Sequence, residues 1–400
     1  YRLLTGQDAP VSVLATQLYA QLPPADDPAT ARLLGQGRKL LIFADSRQDA
    51  AFLAPYLERT GQNVLYRRLI LQMMLADGDA ATGELRLDSL ADILQSRAIA
   101  AGALDPYADL RARRMAARKW LTREMVATDV NQSLEGLGLL RLELNRPPGW
   151  AAPAELLAAP WSLSEEEAWR LVCLLLDTVR RRGGLRYPEG IDPADDFFAP
   201  RNRAVYLSQR LPEKEARGRL SLQGWLPRRG AKKRTAPLEK LLAPPPPAPS
   251  ATERRAAALA LLERLWVELR AGPWQRLWHM ENVPPTGPVY QLSYDAWQWA
   301  ATADDTPLWR CDHCQGLTPH ALRGLCPVYG CEGTLQPLRG ADLSDADHHY
   351  RYLYRRLPPT YLKVEEHTAQ WTSERAAIIQ QQFIAGEVNV LSCSTTFELG

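Results

Sequence analysis

With 400 residues, 46% of them hydrophobic and 24% charged, the chain is long enough for two or three cores, since a single core stops growing near ~250 residues. No run approaches the ~18 uncharged apolar residues of a membrane span, and the N-terminus lacks the basic, apolar, small-residue order of a secretion signal; a globular chain in the cytoplasm, with no membrane partner, is expected. The net charge of +2 carries no whole-chain signature of nucleic-acid binding, so any such argument must rest on local patches.

In chain order, the first clear unit runs from Arg38 to Thr60. Lys39-Leu40-Leu41-Ile42-Phe43-Ala44 is a short apolar run fit for a buried parallel strand. Asp45 and Ser46 then offer N-cap oxygens, Ala50, Phe52, Leu53, Tyr56 and Leu57 recur with helical spacing, and Gly61 is a helix stop. A strong helix is predicted over Ser164 to Arg182, with Ser164 and Glu167 as a capping box and Gly183-Gly184 as stop. Next comes a basic segment, Arg201 to Lys240, holding twelve Lys and Arg against three Glu, a net of +9. Arg228, Arg229, Lys232, Lys233 and Arg234 cluster near Trp225; they suit either a lane along a phosphate backbone or a solvated loop. Pro244 to Pro247 reads as an extended linker, and Ala251 to Leu269 as another helix. The tryptophans at 266, 274, 278, 297 and 299 read as core and suggest a compact helical or winged-helix-like module.

A second strand and helix unit closes the chain. Tyr361 to Val364 is predicted as a strand, Ser373 to Ala385 as a helix closed by Gly386, and Val388 to Ser392 as a further strand. Such alternation argues for a parallel sheet with helices on its faces and ligands at the carboxyl ends of its strands. Ser46, Arg47, His367 and Thr395 fall at such ends.

The sharpest chemical signal is cysteine spacing. Cys311 and Cys314 form one close pair, Cys326 and Cys331 another, eleven residues apart. Two such knuckles suit one tetrahedral zinc, and a closed set of four sulfurs leaves no open position, so the metal is expected to be structural. Disulfides are the alternative, disfavoured in a cytoplasmic chain. His313 and His320 are further candidate ligands that a complete sulfur set leaves without a vacancy. Cys173 and Cys393 stand alone and read as buried small hydrophobes.

Leu41-Ile42-Phe43-Ala44-Asp45-Ser46-Arg47 resembles motif IV of superfamily-2 helicases, and Val390 to Gly400 resembles their motif V. Val364 to Gln370 resembles the strand-end segment between them. With Ser133 to Leu139 and the cysteines lying in between, the pattern is similar to large prokaryotic DEAD/DEAH-box helicases that include the DISARM anti-phage defence helicase. The motor motifs span about a quarter of the chain.

The resemblance implies an α/β fold: a RecA-like parallel-sheet lobe interrupted by a large, mainly helical insertion and a small four-cysteine zinc module. Residues 1–36 would lead in from a first lobe, 37–66 begin the second lobe and 67–300 form the insertion, with a basic and proline-rich linker at 201–250. Residues 301–340 would hold the zinc, and 341–400 return to the lobe. It also implies backbone contacts from Ser46, Arg47, His367, Thr395 and Thr396, with Gly400 near the nucleotide. Ser46 and Thr395 serve equally as plain helix caps, and Glu398 reads as a structural carboxylate. The implied partners are DNA, ATP with Mg2+, and a protein of a defence or repair complex. No phosphate loop and no acidic magnesium-binding box occurs in the 400 residues. The chain therefore reads as a piece of an ATP-dependent helicase that does not hydrolyse ATP alone. The alternative is a non-catalytic zinc-containing protein that binds nucleic acid or a partner.

Overall fold

The structure, a computed structural model, describes residues 8–126, 131–212, 220–228, 234–243, 249–345, 348–357, 361–368 and 370–394. It divides into two compact units, one drawn from residues 1–72, 93–113 and 351–400, the other from 73–92 and 114–350. Among the described residues no helix is long and apolar enough to cross a membrane.

The first unit is built on three parallel strands in the order Leu40–Ala44, Val390–Ser394, Val364–His367. Every residue of the central strand is buried, as expected of a strand packed on both faces. On one face Val390, Val364, Leu40 and Ile42 meet Leu53, Ala54 and Leu57 of the helix Arg47–Ala76. On the other, Leu391, Cys393 and Val388 meet Ile379 and Phe383 of the helix Ser373–Ala385. That helix begins at the side-chain cap of Thr372 and ends at Gly386, whose φ of 77° is the left-handed conformation glycine tolerates. Its predicted span is borne out.

Both flanking strands begin later than the sequence pattern places them. The cause is Asn389, which is buried. Its Oδ1 accepts from the Lys363 N–H (2.8 Å), and its Nδ2 donates to the Tyr361 carbonyl (2.8 Å) and the Tyr19 hydroxyl (2.7 Å). A side chain, rather than a ladder, thus satisfies the Tyr361 carbonyl and the Lys363 N–H, while the Lys363 carbonyl accepts from the backbone N–H groups of Asn389 and Val390. Gly61 is also not a stop. The helix runs through it to Ala76, and a Cβ there would stand 2.8 Å from Leu362 Cδ1. Close approach of the segment at Leu362 explains the glycine at a propensity cost of about 1 kcal/mol. Residues 8–36 pack in this unit rather than beside it: the helix Asp8–Gln21 places Ala15 and Tyr19 in the same core.

The second unit mixes helices and sheets. The stretch expected to be a mainly helical insertion carries, among the described residues, six strands before residue 302. Leu140–Leu144 pairs antiparallel with Trp297–Ala301. A four-stranded sheet runs in the order Ser221–Gly224, Val205–Ser208, Gly287–Leu292, Trp278–Val283. These strands are four to six residues long, too short for alternation to stand out against the neighbouring helices. Of the five tryptophans read as core, Trp266, Trp274, Trp297 and Trp299 are buried, whereas Trp278 is half-buried. The helices Glu165–Arg180 and Ala251–Glu268 appear as predicted, each opened by a capping box.

Inside this unit Arg180 is fully buried. It donates to both oxygens of Glu135 (2.8 and 2.7 Å), to Asp177 and to the Met125 carbonyl (2.6 Å), and stacks 4.9 Å from the Trp297 ring. Around it, Ser133 to Leu139 forms a tight turn in which the Ser133 hydroxyl accepts from the Gly136 N–H (3.0 Å) and Gly138 has a φ of 66°.

Candidate metal centre and sheet-edge site

Cys311 ends the strand Pro307–Cys311, which pairs with Leu335–Arg339 on one side and Leu317–Thr318 on the other. After it the chain doubles back: the Cys311 N–H donates to the Gly316 carbonyl (3.0 Å), and the Gln315 N–H to the Cys311 carbonyl (3.1 Å). The turn brings Cys314 under Cys311. Cys326 and Cys331 come from a second turn, closed by Cys331 N–H to the Val328 carbonyl (3.2 Å). Asp312 ties the two turns together, accepting from the Thr334 N–H (2.9 Å) and hydroxyl (2.6 Å). Those bonds, the Thr334 hydroxyl foremost, hold its carboxyl below the usual range.

The four sulfurs all lie within 4.8 Å of one another. Cys311 and Cys331 are 3.5 Å apart, Cys314 and Cys326 3.7 Å. Tetrahedral zinc with bonds of about 2.3 Å sets sulfurs about 3.8 Å apart, whereas a disulfide needs about 2.05 Å. The spacing fits a metal ion, and the four cysteines form no disulfide here. Gly333 is required here, since a Cβ would stand 2.6 Å from the Cys311 sulfur. Burial opposes ionisation of Cys311, yet the N–H groups of Cys314 and His313 outweigh it and bring the thiol down to about 7. Burial pushes Cys314 and Cys326 up instead. Among the described residues neither His313 nor His320 joins the group. Cys173 and Cys393 are buried and apart, as expected.

Sequence reasoning missed Lys240. Its ammonium donates to the carbonyls of Cys326 (2.8 Å) and Cys331 (2.5 Å). A cation is thus fixed beside a group that, loaded with zinc, carries net negative charge. The only signal in the sequence was that Lys240 closes the basic segment.

Of the segment's other described cations, all but the exposed Arg203 make bonds within the chain. Arg234 is buried, donates to Thr178, Gly224, Trp225 and Gln223, and stacks on Trp225. Burial and nearby Arg182 bring it down to about 9. Arg201 donates to the Arg181 carbonyl, Arg210 pairs with Glu263, and Arg228 donates to the Pro212 carbonyl (3.1 Å). Arg234 therefore does not belong to a phosphate lane, and Arg229, Lys232 and Lys233 lie outside the described residues. Lys214, Arg217 and Arg219 lie outside them too, so the +9 net charge is only half accounted for by described residues.

The carboxyl edge of the parallel sheet gathers part of the other predicted site. Ala44 stands level with Ser394, and His367 with Cys393. Ser46 and Arg47 follow Ala44 at once. Ser46 caps the helix, accepting from the Asp49 N–H (3.0 Å) and donating to its carboxylate (2.7 Å). Arg47 is exposed and forms no hydrogen bond or ion pair among the described residues. His367 is half-buried. Thr395, Thr396, Glu398 and Gly400 lie outside the described residues. Two anchors that sequence reasoning also missed hold this sheet: Asn389 at its amino edge, and Ser392, whose hydroxyl donates to the Ala50 carbonyl (2.9 Å) and pins the helix start to the central strand.

No family model, curated protein or solved structure matches the chain. The four-sulfur group is a site able to bind a metal ion such as zinc.

Proposed function

We propose that this chain is the backbone-gripping second lobe of an ATP-dependent superfamily-2 nucleic-acid motor, acting on DNA, with a structural zinc in its insertion. The observation that carries the reading is the carboxyl edge, where Arg47, His367 and the end of the Val390–Ser394 strand lie side by side. Phosphates bind at strand ends and helix starts without base readout, and Arg47 is an exposed cation at such a place. Thr395 and Thr396 follow Ser394 in the sequence and would complete the proposed grip. Gly400 and a first lobe with its phosphate loop would complete an ATP and Mg2+ cleft.

Zinc held by Cys311, Cys314, Cys326 and Cys331 supplies folding free energy, not chemistry, because four thiolates close its coordination. Lys240 positions two ligand residues through their carbonyls. The test is ATPase activity with and without single-stranded DNA. A longer protein carrying a phosphate loop should hydrolyse ATP faster with DNA, and this chain alone should not. Robust hydrolysis by the chain alone, or hydrolysis by the longer protein that DNA leaves unchanged, would refute the motor reading.

A further inference from the structure

A second feature lies wholly within residues 73–92 and 114–350. A cavity of about 430 Å³ is lined by Arg86, Arg146 and Arg276, by Tyr294 and Trp297, and by two carboxylates, Glu84 and Asp295. Three guanidiniums from three separate segments converge there: Arg86 just before the helix Leu87–Ala100, Arg146 just after the strand Leu140–Leu144, and Arg276 in the turn Gly272–Leu277.

Arg146 is held in place. It donates to Glu166 at 2.7 Å and lies 4.9 Å from the ring centres of both Trp150 and Trp169. That hydrogen bond occupies one of the five N–H donors of a guanidinium. Arg86 and Arg276 are exposed and form no hydrogen bond or ion pair among the described residues. Arg146 is paired with Glu166, and Arg86 acts on the Asp295 carboxylate of the same lining, yet the three guanidiniums together keep N–H donors to spare for a further anion. A volume within the usual range of ligand sites, roughly 300–1,000 Å³, admits more than a bare oxyanion. Tyr294 adds half-buried aromatic surface of the kind on which bases stack.

We propose that this cavity binds a phosphate-bearing ligand of nucleotide size, its phosphate between Arg86, Arg146 and Arg276 and its base toward Tyr294. Guanidinium forks match phosphate oxygens two at a time. The ligand chemistry has two sources: a free nucleotide, or one nucleotide unit of a single strand. The inference stands apart from the sheet-edge reading, since none of its residues belongs to that unit.

The test titrates the chain, and an Arg86→Ala/Arg276→Ala variant with an unchanged melting curve, with thymidine 5′-monophosphate, oligothymidylate and uncharged thymidine. Thymidine should bind at least tenfold more weakly than its monophosphate. Each lost arginine should weaken the phosphate-bearing ligand about tenfold. If only oligothymidylate loses affinity in the variant, a strand is the source; if the monophosphate also loses it, a free nucleotide is. Equal affinities of wild type and variant for both phosphate-bearing probes overturn the proposal. Should oligothymidylate binding instead fall only in Arg47→Ala, the cavity reading fails while the sheet-edge reading survives.

Discussion

The cysteine knuckles and the carboxyl edge of the parallel sheet are both sites where separate segments meet, yet they are determined differently. Each knuckle is built by one short turn, so the spacing of two cysteines already commits both sulfurs to one side. Only the meeting of two turns is left to tertiary structure, and the Asp312–Thr334 bonds secure it. The sheet edge has no such local logic. Arg47 and His367 stand 320 positions apart in sequence and become neighbours only because both their strands pair with Val390–Ser394. A ligand set made by local turns survives as a pattern; one made by topology needs every strand placed.

The largest effect should come from attacking the knuckles. Cys311→Ser with Cys314→Ser removes half of the sulfurs; wild type as purified should carry one equivalent of zinc and the double variant none. The binding free energy of such sites is roughly 10–16 kcal/mol and is part of their folding free energy, so residues 301–340 should become open to protease. Chelation of the wild-type protein should do the same. Stoichiometric zinc in the double variant would break the comparison at its stronger end.

Next in size is the Arg180 cluster. Arg180→Met leaves Glu135 and Asp177 buried with only Arg181 to pair them, and removing one member of a buried ion network costs about 3–5 kcal/mol. Denaturant unfolding should show it, with zinc content unchanged. A loss under ~1 kcal/mol would mean that water replaces the guanidinium. The cluster also marks a limit of sequence reading. Ser133 to Leu139 was legible as a pattern without a role; that Glu135 meets an arginine 45 residues later depends on helix packing that periodicity does not encode.

Lys240 tests whether the knuckles are truly self-contained. Lys240→Met keeps the aliphatic stem and removes two charge-assisted hydrogen bonds, each worth about 1.5–3 kcal/mol. Zinc should still bind at one equivalent but transfer to a chelator faster, by about tenfold or more. An unchanged transfer rate would show that the ammonium contributes nothing to metal retention. The basic segment teaches the complementary point. Charge counting took Arg201 to Lys240 as one surface, whereas Arg201, Arg210, Arg228, Arg234 and Lys240 each reach an internal acceptor. Long cationic stems do this when backbone carbonyls at turns are left without donors, and composition does not record it.

The smallest effect bears on the weaker site. If Arg47 holds a backbone phosphate, Arg47→Ala should weaken single-strand binding about equally for different base sequences and lower the magnitude of the salt slope by about 0.7, one ionic contact on a single strand. Arg47 is exposed and unpaired, so the melting temperature should not move. His367→Ala should likewise weaken affinity about equally for different base sequences. Ser46→Ala is the contrasting probe: its hydroxyl caps the helix through Asp49, so it should cost about 1 kcal/mol of stability and leave the slope alone. The three changes separate grip from scaffold at one sheet edge. A well-folded Arg47→Ala chain with an unchanged slope would remove the only described cation from the proposed grip and leave the edge as scaffold.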